Sequence, residues 1–146
     1  MAAPETIAID PDDHHATDLG VLKNGVQFFL TTPFIPAIDG PGCIFVAIYL
    51  FGRDGAFMGC TIKELGPRSK VSDQEAAKVL DRMRQSVGVI ERRRITIQPF
   101  QIIRKGVTFG FVVHPPDEHG DGWQVTVEPG DYMAFYEPWD GGVYDT

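Results

Sequence analysis

Cysteine is scarce in this chain: Cys43 and Cys60 are the two that occur, too few for the disulfide framework of a small secreted scaffold. A hairpin about Gly52-Arg53-Asp54-Gly55 would set Cys43 opposite Glu64 and Cys60 opposite Ala47. The sulfurs would then be offset by about 13 Å along the strands, beyond the reach of a bridge, so two buried thiols are expected. Long apolar runs are missing as well. The longest, Cys43 to Phe51, is strand-length against the ~20 residues that a membrane-spanning helix needs, so no membrane span is expected. Positive charge is absent from Met1 to Asp18, which carries Glu5, Asp10, Asp12, Asp13 and Asp18. That is the reverse of a signal or transit peptide, and the expected address is the cytoplasm. Catalytic signatures are lacking too: no nucleophile elbow, P-loop, dinucleotide-binding glycine pattern or His-Glu-x-x-His helix occurs. The turn in Val125 to Asp131 is similar to the strand-Pro-Gly-Asp turn of double-stranded β-helix enzymes, but the His-x-His pair that holds their metal is missing. Neither cysteine has a basic sequence neighbour to lower its pKa. No catalytic residue, metal or cofactor is therefore predicted.

What is present is a globular composition, 43% hydrophobic and 23% charged with ten Phe in 146 residues, enough for one core without staples. The expected organisation is a flexible acidic tail over residues 1–17 and a single α+β domain over 18–146. Leu19 to Leu22 and Val26 to Thr32 flank Asn24-Gly25, a pair that suits a type I′ hairpin turn. The Pro-rich stretch Pro33 to Pro41 reads as a loop. Cys43 to Phe51 is apolar on both alternating faces, as a central strand covered on both sides would be. Ala56 to Leu65 is its return partner. Ser72 and Glu75 have capping-box spacing, and Ala76, Val79, Leu80, Met83 and Val87 recur at helical spacing before Gly88. These features predict one principal helix over about 72–88, packed on a mainly antiparallel sheet of about seven to eight strands. Beyond it, Arg94 to Ile103 and Val107 to Val113 form a hairpin about Lys105-Gly106, with a bulge or edge expected at Pro99. Trp123 to Val127 and Tyr132 to Tyr136 complete the strands.

Charge is unevenly distributed. Asp81 to Lys105 holds seven of the thirteen basic residues, whereas Asp117 to Thr146 holds eight acids and no Lys or Arg. Arg92, Arg93 and Arg94 could contact phosphates, but a chain of net charge −7 repels polyanions at long range. Nucleic acid is therefore not an expected partner; the arginines should meet the acidic C-terminal part of the same molecule or face water. His114, Asp117, Glu118, His119 and Asp121 are the densest group of potential metal ligands, but they match neither zinc nor calcium spacing.

The C-terminus stands out. Tyr136, Glu137, Trp139, Asp140, Tyr144 and Asp145 interleave rings with carboxylates, a pattern suited to a basic protein surface, because rings anchor and carboxylates steer. The alternative for the rings is closure of the core. A non-catalytic protein-binding or regulatory module using this surface is the leading expectation, with inhibitor or immunity proteins as one subclass. The competing expectation is a small-molecule-binding protein or enzyme, with a pocket between sheet and helix lined by Tyr49, His114, Glu128 and Tyr132. The sequence leaves oligomeric state open.

Gly25-Val-Gln-Phe-Phe29, Ile97-Gln-Pro-Phe100, Gly106-Val-Thr-Phe-Gly110 and Phe135-Tyr-Glu-Pro-Trp-Asp-Gly141, closing in Tyr144-Asp-Thr146, together resemble a family of small bacterial proteins of unassigned function. Some of its members are labelled formate hydrogenlyase regulatory protein. The resemblance covers the chain from about Asp18 onward, with one additional residue before Tyr144, and implies a regulatory role without assigning functional residues.

Overall fold

The structure, a computed structural model, describes residues 3–88, 90–117 and 122–146. Among these residues, twelve strands and one α-helix make an α+β fold in which every strand pairing is antiparallel. The first sheet is built around β5 (Cys43–Phe51). Its neighbours are β6 (Phe57–Gly66) on one flank and β3 (Gln27–Thr31) on the other, followed outward by β2 (Asp18–Leu22) and β7 (Ile90–Arg92). Alternation along β5 sends Val46 and Ile48 to one face and Phe45, Ala47, Tyr49 and Phe51 to the other, and both faces are covered.

Part of the stretch expected as a Pro-rich loop is a strand. β4 (Phe34–Ile35) continues β3 along the same flank of β5, with Thr31 opposite Ala47 and Phe34 opposite Ile44. Pro33 interrupts the run because it has no N–H to donate, yet its carbonyl still accepts from Phe45 N–H at 2.9 Å.

Helix α1 (Asp73–Ser86) covers the first face. Ser72 Oγ accepts the Glu75 N–H at 3.1 Å and caps it, and Gly88, at φ 84°, allows the chain to turn away. Met83 is buried, and Val79, Leu80 and Val87 pack with it over Phe28, Leu30, Val46 and Ile48. This is the apolar face expected from the spacing.

The other face meets a second sheet in the order β12 (Ala134–Phe135), β11 (Gln124–Glu128), β10 (Val107–His114), β9 (Phe100–Arg104). Phe29 and Phe111 meet edge to face at 5.5 Å between centroids, as do Phe45 and Phe109 at 5.0 Å, a favoured geometry for aromatic pairs. The expected irregularity at Pro99 is a complete break: β8 (Ile95–Ile97) pairs with β1 (Ile7–Ile9), whereas β9 pairs with β10.

Three details depart from the sequence-based expectation. Asn24-Gly25 does not form a type I′ turn, since Gly25 but not Asn24 has positive φ; Gly25 N–H bonds Leu22 C=O and Leu22 N–H bonds Val26 C=O, a three-residue loop. Arg53-Asp54-Gly55 repeats it, and with a register shift between Leu50 and Phe51, where Met58 is the extra residue of β6, it sets Cys60 opposite Tyr49 and Phe45 opposite Glu64, two residues from the expected register. Cys43 lies opposite Ile35 instead, and the two free thiols are half-buried rather than buried.

The largest correction concerns the start of the chain. Ile7, Ala8 and Ile9 are buried in β1, and Ala16 is fully buried, so this segment is part of the core and not a flexible tail. β1, β4, β7 and the division at Pro99 raise the strand number above the expected seven to eight.

Candidate functional site

The C-terminal segment is held against β1 by backbone pairing: Ala8 N–H donates to Trp139 C=O at 2.8 Å and Asp10 N–H to Gly142 C=O at 3.0 Å. Arg94 clamps the two chain ends. Its Nε and Nη2 donate to the Asp10 carboxylate at 2.6 and 2.8 Å, and its Nη1 donates to Asp140 C=O at 3.1 Å. The guanidinium holds the Asp10 carboxyl below its ordinary range. Such exposed pairs are screened by water and add little stability, so the clamp serves mainly to fix position.

This arrangement forms an open cleft of about 570 Å³, walled by Glu137, Pro138, Trp139 and Asp140 on the C-terminal side and by Thr6, Ala8, Arg94 and Thr96 on the other. Trp139 is half-buried, packed on the core, with Glu137 and Asp140 exposed beside it. Among the described residues, neither carboxylate has an ion-pair partner within 4.0 Å. Tyr136 is 44% exposed.

The other residues expected at this surface play structural parts. The Tyr144 hydroxyl donates to the Asp12 carboxylate and accepts from His15 N–H at 3.1 Å. Burial by itself would raise the Asp12 pKa, but this hydroxyl and the backbone N–H groups of His14 and Ala16 outweigh it and lower the value. Burial and the Asp12 contact together raise Tyr144. Asp145 is exposed, and its backbone N–H and C=O both bond Ala134 at 2.9 Å. The six residues thus divide into three that wall the cleft, Glu137, Trp139 and Asp140, one, Tyr136, that is exposed outside its lining, and two that tie down the chain.

Arg92 and Arg94 are occupied by the N-terminal segment rather than by C-terminal carboxylates, and Arg93 has a local partner. Arg92 donates to the carbonyls of Thr17 and Asp12, and Arg93 lies 3.9 Å from Glu91. That use leaves the phosphate-contact reading without support from the geometry.

The residues expected to line a pocket between sheet and helix do not converge there. Tyr49 is fully buried on the sheet face opposite the helix, its hydroxyl without a hydrogen-bond partner among the described residues, and burial pushes its pKa well up. Tyr132 is also buried and bonds Thr31 Oγ1 at 2.7 Å. His114 and Glu128 meet on the outer face of the second sheet. His114 Nε2 lies 2.7 Å from Thr126 Oγ1, whose hydroxyl donates to Glu128 Oε2 at 2.8 Å. Because the hydroxyl proton goes to Glu128, the imidazole is the donor to Thr126. They border a shallow cavity of about 360 Å³ that also takes in Asp117 and Asp131, while Thr126 at 2% exposure is closed to a substrate. Glu118, His119 and Asp121, from the possible metal group, lie outside the described residues.

Sequence reasoning missed the Asp10–Arg94 clamp and Gln27. Gln27 is buried, donating Nε2 to Gly52 C=O at 2.8 Å and Thr96 C=O at 2.9 Å while Oε1 accepts Thr96 N–H at 2.7 Å. The signal available for Gln27 was one amide in an otherwise apolar strand. For Asp10–Arg94 there was none, because their separation of 84 residues is bridged only by tertiary pairing.

Fold and cleft together define an α+β protein of two main sheets and a two-stranded β1–β8 ribbon, with an acidic, aromatic-walled groove between its N- and C-terminal segments. No family model, curated protein or solved structure matches the chain. Among the described residues no helix is long and apolar enough to cross a membrane.

Proposed function

We propose that this protein is a non-catalytic binding module, and that the cleft at its C-terminal segment receives Lys or Arg side chains from a basic protein partner. The observation that carries this reading is the exposure of Glu137 and Asp140, without ion-pair partners among the described residues, on either side of the half-buried Trp139. A cation entering the cleft would meet two carboxylates and an indole, and ring and charge attract it together, while the Arg94 guanidinium in the cleft wall is already paired with Asp10. The backbone pairing of this segment to β1 pre-organises the site, so little ordering entropy is lost on binding. A regulatory role, as implied by the resemblance carried by Pro138-Trp139-Asp140-Gly141 and Tyr144-Asp145-Thr146, fits a module that acts by occupying a partner's surface.

The test is a titration with a fluorescently labelled Lys/Arg-rich peptide, following its anisotropy. Saturable binding should weaken by roughly tenfold or more in the Glu137→Gln/Asp140→Asn double variant, as expected for loss of charge-assisted contacts worth about 1.5–3 kcal/mol each. Equal affinity in wild type and double variant would rule the cleft out.

A further inference from the structure

The space between the two sheets is closed unevenly. On one side the β1–β8 ribbon fills it with Ile7, Ile9, Ile95 and Ile97, all buried. On the other side run the outermost strands β6 and β9, which do not pair with each other. They touch at their starts, where Phe57 and Phe100 stack at 3.9 Å between centroids. Toward their ends a cavity of about 240 Å³ opens, lined by Ile35, Phe45, Ile62, Val107 and Phe109 and bordered by Glu64, Arg104 and Lys105.

Its floor is the buried Phe45–Phe109 pair, and its walls are only partly buried aliphatic side chains. Arg104 and Lys105 are exposed at the Lys105-Gly106 turn, and among the described residues neither has an ion-pair partner within 4.0 Å. The carboxylate at the rim, Glu64, interacts with the Cys43 thiol. Two cations beside an apolar slot, in a chain of net charge −7, select for a ligand with an apolar body and an anionic end.

We propose that this mouth of the sandwich is a binding site for a small alkyl or aryl carboxylate, with its hydrocarbon on Phe45 and Phe109 and its carboxylate at Arg104 and Lys105. The volume is below the roughly 300–1,000 Å³ of pockets for drug-sized ligands, so the ligand is a short chain or single ring. This site is separate from the C-terminal cleft and stands or falls independently of it.

Calorimetric titration with octanoate, and with uncharged octanamide as control, tests the assignment. Octanoate should bind saturably at one site and weaken at least about tenfold in Arg104→Glu/Lys105→Glu, while octanamide affinity stays unchanged. Val107→Trp, which fills the cavity, should abolish both. Absence of saturable octanoate binding, or octanoate binding that charge reversal leaves intact, overturns the proposal. The reversed residues are exposed, so the charge-reversal test stands even if the filled variant does not fold.

Discussion

Gln27 joins three chain segments through one buried amide, bonding Gly52 in the β5–β6 turn and both backbone groups of Thr96 in β8. Gln27→Leu would leave those backbone groups without partners in the core and should cost about 2–4 kcal/mol, measured by urea unfolding. A second residue-scale expectation concerns His15, whose ring lies near Tyr132 and Tyr144 and 4.0 Å from that of His14, centroid to centroid, at a tilt. Burial first, then the His14 charge, lowers its pKa from 6.5. A depressed histidine favours the neutral folded form, so its contribution is full above the ordinary value of 6.5 and is lost as pH falls through the folded value. Asp10 and Asp12, both lowered from 3.8, keep their contribution until much more acidic pH. The protection of the Ala16 N–H against hydrogen exchange, a group that bonds Asp12 Oδ1 at 3.0 Å, should therefore fall as pH is lowered from about 7 to about 5, over and above the intrinsic slowing of exchange. His15→Gln should remove that loss of protection; an unchanged loss would locate the titration elsewhere. The partners that define these roles, Gly52 and Thr96 for Gln27 and Tyr132 and Tyr144 for His15, lie far along the chain and could not be read from the sequence.

Among the elements, those whose stability is local were the legible ones. The two faces of β5, the cap and apolar face of α1 and the hairpins about Gly25, Gly55 and Gly106 all follow from alternation, helical spacing and turn residues. β1, β4 and β7 are at most three residues long, too short for any period to show, and exist because a distant strand offers them partners. Gly110 illustrates the difference. It sits at φ 136°, and a Cβ there would lie 2.2 Å from Phe100 C=O across the β9–β10 pair. Gly110→Ala must push β9 away from β10, and the expected loss is about 2–4 kcal/mol, from strained backbone and disturbed packing together, with the Phe57–Phe100 contact loosened. A thermal melt within about 1 °C of wild type would show that the strands absorb the methyl without moving.

For the whole molecule, the uneven charge visible in the sequence takes a different spatial form from the one expected. The arginines near residue 92 fasten the acidic N-terminal segment, and this leaves the C-terminal acids Glu137 and Asp140 exposed at the cleft. The expected surface was thus half legible: its residue types stood in the sequence, but the division between Glu137, Trp139 and Asp140 at the groove and Tyr144 and Asp145 as ties arises from strand pairing between the chain ends. The expected pocket was not legible, because alternation could place Tyr49 inside without revealing that the second sheet, rather than the helix, would cover it.

The most direct test of the central claim is an amide and indole NMR map of the isotopically labelled protein during titration with the Lys/Arg-rich peptide. The account predicts progressive, saturable shifts at Thr6, Ala8, Thr96 and the Trp139 indole, screened by added salt. Shifts confined to other surfaces, or none at all, would contradict it.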